Sequence, residues 1–407
     1  MEIKALSLSN FRIFTRLEMD FPDRLTLLVG NNAQGKTSVL EAVHFLSILT
    51  SPLASNDREV INLLATQDDL PVGRLVAKVR KHEKVHMIEV RLILNSIQNG
   101  SQRLRKEVLI DGVKKRLFDA VGFFNSVLFL PQMTRILEDG PDERRKYLDQ
   151  LLSQAYPGYV RALSDYQQAL TRRNALLKLL FDRNGDPGQL DYWDEILTSN
   201  GAHIIEARLK STREFEVFFR QQYQHLTGGK EAIRMDYQPS YNGGRSKNGS
   251  AQLRFDKTPQ QVELQSYNEI KEHFAKRLHE LQKEEIRRGV TTIGPHRDEV
   301  RFYSNDIDLA VYGSRGQIRT AVMAMKIAET QWLQEKTGEL PVLLLDETLA
   351  ELDEQRREDL LGSLGLEEQA ILTTTDLGLF SADFTQTCRI WQVSAGQVTR
   401  LNHQLNN

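Results

Sequence analysis

Gly30-Asn31-Asn32-Ala33-Gln34-Gly35-Lys36-Thr37 follows the apolar run Leu25, Leu27, Leu28 and Val29 and precedes a helical pattern from Ser38 to Leu46. It reads G-x-x-x-x-G-K-T between a predicted strand and a predicted helix. Glycines at its two ends let backbone N–H groups curl around an anion, Lys36 reaches terminal phosphates, and the Thr37 hydroxyl is an oxygen ligand of the kind Mg²⁺ takes. The helix opening at Ser38 adds its partial positive charge. A glycine-rich turn can match this spacing by accident, but the strand before and the helix after supply the context the chemistry needs. The stretch from Gly30 to Ser38 is therefore read as a nucleoside triphosphate site.

Outward from this loop, the chain of 407 residues has room for two or three domains, and at 40% hydrophobic residues it can bury large cores. A net charge of −2 means that any contact with nucleic acid must come from a local patch. The single cysteine, Cys388, excludes an intrachain disulfide framework and any Cys-x-x-Cys zinc site. No apolar run approaches the roughly 18 residues of a membrane span, so a cytoplasmic protein without membrane contact is expected.

Ile3 to Leu8 and Leu17 to Phe21 read as strands leading into the loop. Period-two patterns over 75–80, 85–94 and 105–110, with Asp111-Gly112 as a hairpin turn, predict an antiparallel sheet. That segment is basic: Arg74, Lys78, Arg80, Arg103, Arg105, Lys106, Lys114, Lys115 and Arg116 outweigh its acids. Such a face can track DNA phosphates or be a merely solvated strand face. Helical spacing over 153–183 and 190–227, broken at Asn184 to Gly188, predicts a helical hairpin, and 259–288 a third helix. Strands are expected at 235–241, 290–293 and 299–303, and a loop at 242–250.

The last hundred residues carry a second set of nucleotide-site features. Pro341 to Leu345 is a buried-strand run ending in Asp346-Glu347. A carboxylate there holds the Mg²⁺ shell and a following glutamate orients or deprotonates the attacking water, which suits Asp346 and Glu347 respectively. Ser314-Arg315-Gly316-Gln317 opens a helix, where the same residues also make an ordinary N-cap. Leu349 to Asp353 and the polar strand end Thr374-Thr375-Asp376 follow.

This order of motifs resembles ATPases of the ABC and SMC type. The resemblance implies that Ser314, Gly316 and Gln317 complete the site of a second subunit, so that two ATP molecules lie between two heads. It also places Gln132 as a metal- and water-sensing glutamine, Thr375 near the switch position, and Arg12 within reach of the nucleotide phosphates. An ordinary surface arginine is the other reading of Arg12.

Across nearly its whole length the chain resembles the RecF family. The resemblance rests on Leu6-Ser7-Leu8-Ser9-Asn10-Phe11-Arg12, the phosphate loop, Asp142-Glu143-Arg144-Arg145-Lys146-Tyr147-Leu148-Asp149, Gly294-Pro295-His296-Arg297-Asp298, and Arg315-Gly316-Gln317-Ile318-Arg319-Thr320. It implies an α/β fold, an ABC/SMC-type P-loop ATPase head with an antiparallel β subdomain and an inserted, mainly helical arm. The expected division is 1–132 and 289–407 for the ATPase lobe and 133–288 for the arm. It further implies an ATP-driven homodimer of DNA replication, repair and the SOS response, with weak ATP hydrolysis, that binds double-stranded and gapped DNA and acts with RecR and RecO to load RecA. A Rad50- or SMC-like head serving a separate nuclease is the alternative, and the absence of long coiled-coil arms argues against it.

Overall fold

Alternating side chains at the chain start make β1 (Glu2–Phe11) and β2 (Phe14–Asp20), and the apolar run after them makes β3 (Leu25–Val29), which the phosphate loop joins to α1 (Lys36–Ile48). Then come β4 (Val72–Lys81), β5 (Lys84–Ser96), β6 (Gln102–Ile110), β7 (Val113–Lys115), α2 (Leu117–Ala120) and β8 (Ser126–Phe129). The computed structural model describes residues 1–67, 70–96, 102–183, 185–242, 265–347, 357 and 368–401. The expected loop at 242–250 and the Leu349 to Asp353 motif lie almost wholly outside them.

The middle of the chain supplies α3 (Arg135–Glu138), α4 (Pro141–Ala155), α5 (Tyr159–Arg183), α6 (Asp191–Leu226), β9 (Ile233–Gln238), α7 (Tyr267–Arg288), β10 (Glu299–Ser304), β11 (Ile307–Asp308) and α8 (Leu309–Tyr312). It ends with α9 (Arg315–Thr337), β12 (Val342–Asp346), β13 (Ala370–Thr374), α10 (Ala382–Thr387), β14 (Cys388–Ser394) and β15 (Gln397–Arg400). No helix among the described residues is long and apolar enough to cross a membrane.

Two compact units result: Met1–Thr134 with Ser153–Pro157 and Val322–Asn407, and Arg135–Leu152 with Gly158–Ala321. This differs from the expected break after residue 288. The physical reason is strand pairing, because β10 bonds to β9 from Glu299↔Gln238 to Ser304↔Ile233 and so joins the arm's unit.

The first unit holds two six-stranded sheets, β2-β1-β4-β5-β6-β7 and β15-β14-β3-β13-β12-β8. The first is antiparallel, so β1 and β2 belong with the basic strands as well as leading to the loop. In the second, β14, β3, β13, β12 and β8 run parallel. The near-continuous apolar sequences of β3, β13, β12 and β8 follow from burial on both faces, whereas β14 alternates. One core joins Leu8, Leu75 and Val90 of the antiparallel sheet, Val39 and Phe45 of α1, and Leu344 and Ile371 of the parallel sheet. The loops after β3, β8, β12 and β13 leave the carboxyl edge of that sheet, where open α/β sheets bind ligands.

In the second unit α5 and α6 form the expected hairpin, and α7 packs on both. Its interior is polar as well as aromatic. Buried Arg173 donates to Asp194 at 2.5 Å, Glu285 at 2.7 Å and Thr291 at 2.9 Å, and buried Arg208 donates to Asp149 at 2.7 Å and to the Pro295 carbonyl at 2.8 Å. The Gly294 to Asp298 block is part of this network, with Tyr166 Oη 2.6 Å from His296 Nδ1 and the Ser240 N–H donating to Asp298 at 2.7 Å. Residues 290–293 do not form the expected strand. Val290 N–H bonds the Glu285 carbonyl at 3.3 Å, and the next two N–H groups go to side chains, Thr291 N to Asn174 at 2.8 Å and Thr292 N to Glu285 at 2.6 Å.

Candidate nucleotide site and basic surface

The turn from β3 into α1 is possible only with its two terminal glycines. A Cβ at Gly30 would stand 2.2 Å from the Val393 carbonyl oxygen, and Gly35 has φ of 109°. The Lys36 side chain lies back along the loop, donating to the carbonyls of Gly30 at 2.7 Å and Asn31 at 3.0 Å and pairing with Glu347 at 3.0 Å. Gln34 donates to the Asn32 carbonyl at 3.4 Å and accepts the Ala395 N–H at 2.6 Å, which ties the loop to the β14–β15 turn.

Thr37 donates to both oxygens of Asp346, at 2.9 and 2.8 Å, so two of the expected metal ligands meet across 309 residues of sequence. Thr373, at the end of β13, donates to Asp346 at 2.8 Å and accepts the Glu347 N–H at 2.9 Å. Burial raises the Asp346 carboxyl above the usual aspartate range, hydrogen bonds from Thr373 and Thr37 pull it down, and neighbouring Glu347 pushes it up. Glu347 itself has φ of 46°, a left-handed backbone rare for glutamate. Gln132 lies just past β8, whose Phe129 pairs with Leu345, and is exposed near the same sheet edge. Thr375 follows β13 and is exposed.

Arg12 makes a two-pronged pair with Glu41 of α1, Nε at 2.7 Å and Nη2 at 2.6 Å, and a third bond to the Glu59 carbonyl at 3.2 Å. It also lines a cavity of about 620 Å³ with Thr37, Ser38, Glu41, Leu53, Ile61 and Leu94. Arg12 is thus anchored to the phosphate-loop helix and faces the space beside Ser38. The sequence reading missed Glu41 and the apolar walls Leu53, Ile61 and Leu94. Their only advance signal was a carboxylate one turn after Thr37 on a helix otherwise mostly apolar.

Ser314, Gly316 and Gln317 belong to the second unit. Ser314 Oγ accepts the Gln317 N–H at 3.2 Å, and Gln317 Oε1 accepts the Ser314 N–H at 3.1 Å, a reciprocal cap on α9. Ser314 and Gly316 are exposed, and a Cβ at Gly316 would meet open space. Among the described residues, packing within this chain does not require a glycine there.

On the antiparallel sheet Arg74, Lys78 and Arg80 point outward while Leu75, Ala77 and Val79 enter the core. Many of the cations are braced by carboxylates. Glu89 accepts from Arg74 at 2.8 Å and Arg91 at 2.7 Å, and Glu107 from Lys114 at 2.7 Å with Arg105 at 3.4 Å. Arg80 pairs with Glu2, and Arg116 with Asp119 at 2.7 Å. Two cations to one glutamate at Glu89 and at Glu107 leave the face locally positive. Lys78, Arg103 and Lys115 have no ion pair among the described residues.

Lys106 is a correction. It stands opposite buried Leu92, so it faces inward, donates to the Leu49 carbonyl at 2.8 Å, pairs with Asp57 and lies 5.5 Å from the Phe45 ring centroid. It caps the C-terminus of α1 and is not on the outward surface.

The chain matches the family model described as RecF/RecN/SMC N terminal domain over residues 2–399. The DNA replication and repair protein RecF of Chloroflexus aurantiacus is 35% identical over 408 aligned positions, covering 98% of this chain and 99% of the relative. RecF of Halothermothrix orenii is 33% identical, with 98% and 99% covered. Among solved structures, the recombination mediator protein RecF with ATP, of the RecFOR pathway, is similar at a TM-score of 0.82 and 28% identity, covering 98% of this chain and 97% of that one. A full-length family match, relatives at this identity and the fold together establish that the chain belongs to the RecF family of DNA replication and repair proteins.

Proposed function

We propose that the chain is an ATP-dependent DNA-binding protein of replication and recombinational repair, acting in the cytoplasm and in the SOS response. Two copies close over two ATP molecules, and the closed pair binds duplex DNA near single-strand gaps and helps load RecA with RecR and RecO. The observation that carries this reading is the meeting of Lys36, Thr37, Asp346 and Glu347 at one sheet edge, with Lys36 3.0 Å from Glu347 and Thr37 2.8 Å from Asp346. The similar RecF structure with ATP supports the choice of nucleotide.

Lys36 exchanges its loop carbonyls for the terminal phosphates, which the N–H groups of Gly30 to Ser38 surround. The nucleoside then extends past Ser38 and Arg12 into the neighbouring cavity. Oxygen donors from Thr37 and Asp346, with Gln132 at the rim, fit Mg²⁺, which takes few protein ligands and shares phosphate oxygens. When bound, that ion neutralises charge on the phosphates. Glu347 orients and deprotonates the attacking water, and the pull of Lys36 on the same carboxylate fits a slow ATPase. Exposed Ser314 and Gly316 serve the site of the second copy.

Fluorescence anisotropy of a gapped duplex, titrated with protein plus a slowly hydrolysed ATP analogue or ADP, tests the reading. Tighter binding with the analogue, falling steeply with salt, is expected. Equal binding with both nucleotides would remove ATP from the closing step.

A further inference from the structure

One carboxylate outside every recognised motif holds the Ser314 to Gln317 loop. Glu231, between α6 and β9, accepts at a single oxygen, Oε2, from Tyr223 Oη at 2.7 Å, Ser304 Oγ at 2.8 Å and Gln317 Nε2 at 3.2 Å. Tyr223 and Ser304 are buried, at the end of α6 and the end of β10, and are themselves 3.1 Å apart. Glu231 therefore stands on a rigid floor. Its ionised form is a pure acceptor, which matches three converging donors.

Gln317 faces this floor with its amide nitrogen because its oxygen is already occupied by the Ser314 N–H at 3.1 Å. The side chain is thereby held at both ends. With its amide bonded at both ends, Gln317 braces the N-terminal turn of α9, from which Ser314 and Gly316 are exposed. Preorganised donors are what an anion arriving from outside requires, since no ordering remains to be done at the moment of contact.

We propose that Glu231 is a positioning residue for the Ser314–Gln317 loop, tying Gln317 to the Tyr223–Ser304 floor so that the loop meets the nucleotide of a second copy in one fixed conformation. This rests on the reading that the loop completes the partner's nucleotide site. Glu231 touches no nucleotide in this role and acts through Gln317.

The test uses the full chain, with sedimentation velocity in a slowly hydrolysed ATP analogue for dimerisation and a fluorescent ATP analogue for binding by the monomer. Gln317→Glu sets two carboxylates against each other without disturbing the Glu231 floor, and it is expected to weaken dimerisation about ten-fold or more while monomer binding stays within about two-fold. Adding Glu231→Gln removes the facing charges and puts an amide nitrogen where Oε2 stood, donating to the new carboxylate and to Ser304 Oγ, whose hydroxyl turns to accept, and the double variant is expected to regain most of the dimer. A merely structural Glu231 does not produce that rescue. Ser314→Arg separates the two ideas: if it dimerises like the parent, the underlying reading of the loop fails. If Ser314→Arg blocks dimerisation but Gln317→Glu does not, or if the double variant is no better than Gln317→Glu alone, the role of Glu231 is overturned.

Discussion

Lys36 is bound by two carbonyls and one carboxylate of its own site, all within 3.0 Å, so its charge is satisfied and still available to phosphate. Lys36→Ala is expected to abolish nucleotide binding in an equilibrium titration while the chain still melts cooperatively. Glu347→Gln is expected to keep ATP binding and lower turnover by about 10²-fold or more, and unchanged turnover would remove the carboxylate from the reaction. His44 gives a pH signature. It is fully buried against Ser126, and burial lowers its pKa from 6.5 to about 3, so the unfolded chain takes up a proton that the folded chain refuses. Its stabilising contribution is complete above pH 6.5 and is lost as pH falls toward 3, at about 1.4 kcal/mol per pH unit. Denaturant unfolding of His44→Gln across this window is expected to show a flatter pH slope than the parent.

At the scale of elements, the antiparallel sheet divides its cations by face. Lys106 holds α1 by its last turn through the Leu49 carbonyl and Asp57, whereas Lys78 and Arg103 carry no ion pair among the described residues. Lys106→Met is expected to lower stability by about 1–3 kcal/mol, read from urea unfolding, without changing the salt slope of DNA binding. Lys78→Ala and Arg103→Ala are expected to leave stability unchanged and each reduce that slope by about one. A salt slope that follows Lys106 instead would reverse the assignment of faces. Sequence reading had placed all three together, because composition counts charges and only register decides which side of a strand each one takes.

For the whole molecule, dimerisation that requires nucleotide is the expected behaviour: monomer with ADP and dimer with a slowly hydrolysed ATP analogue in sedimentation velocity, with Lys36→Ala monomeric in both. What the sequence determined by itself was chemistry carried within a few residues, though not the strand expected at 290–293. The phosphate loop, the acidic strand end at Asp346-Glu347, the cap at Ser314 and the alternation of the basic strands each follow from spacing over a few residues, and the α/β fold was what the family resemblance carried by those motifs implied. Tertiary structure alone decided what depends on distant segments meeting. It pairs β9 with β10 and so carries residues up to 321 into the arm's unit. It brings Thr37 and Thr373 onto Asp346, Glu41 onto Arg12, and Glu231 onto Gln317. A shared metal role already linked Thr37 with Asp346, and Glu41 stood one turn after Thr37, but Thr373 with Asp346 and Glu231 with Gln317 have no sequence signal, because a single carboxylate or hydroxyl reads as a solvated side chain until the fold sets a partner within hydrogen-bond reach and removes the water between them.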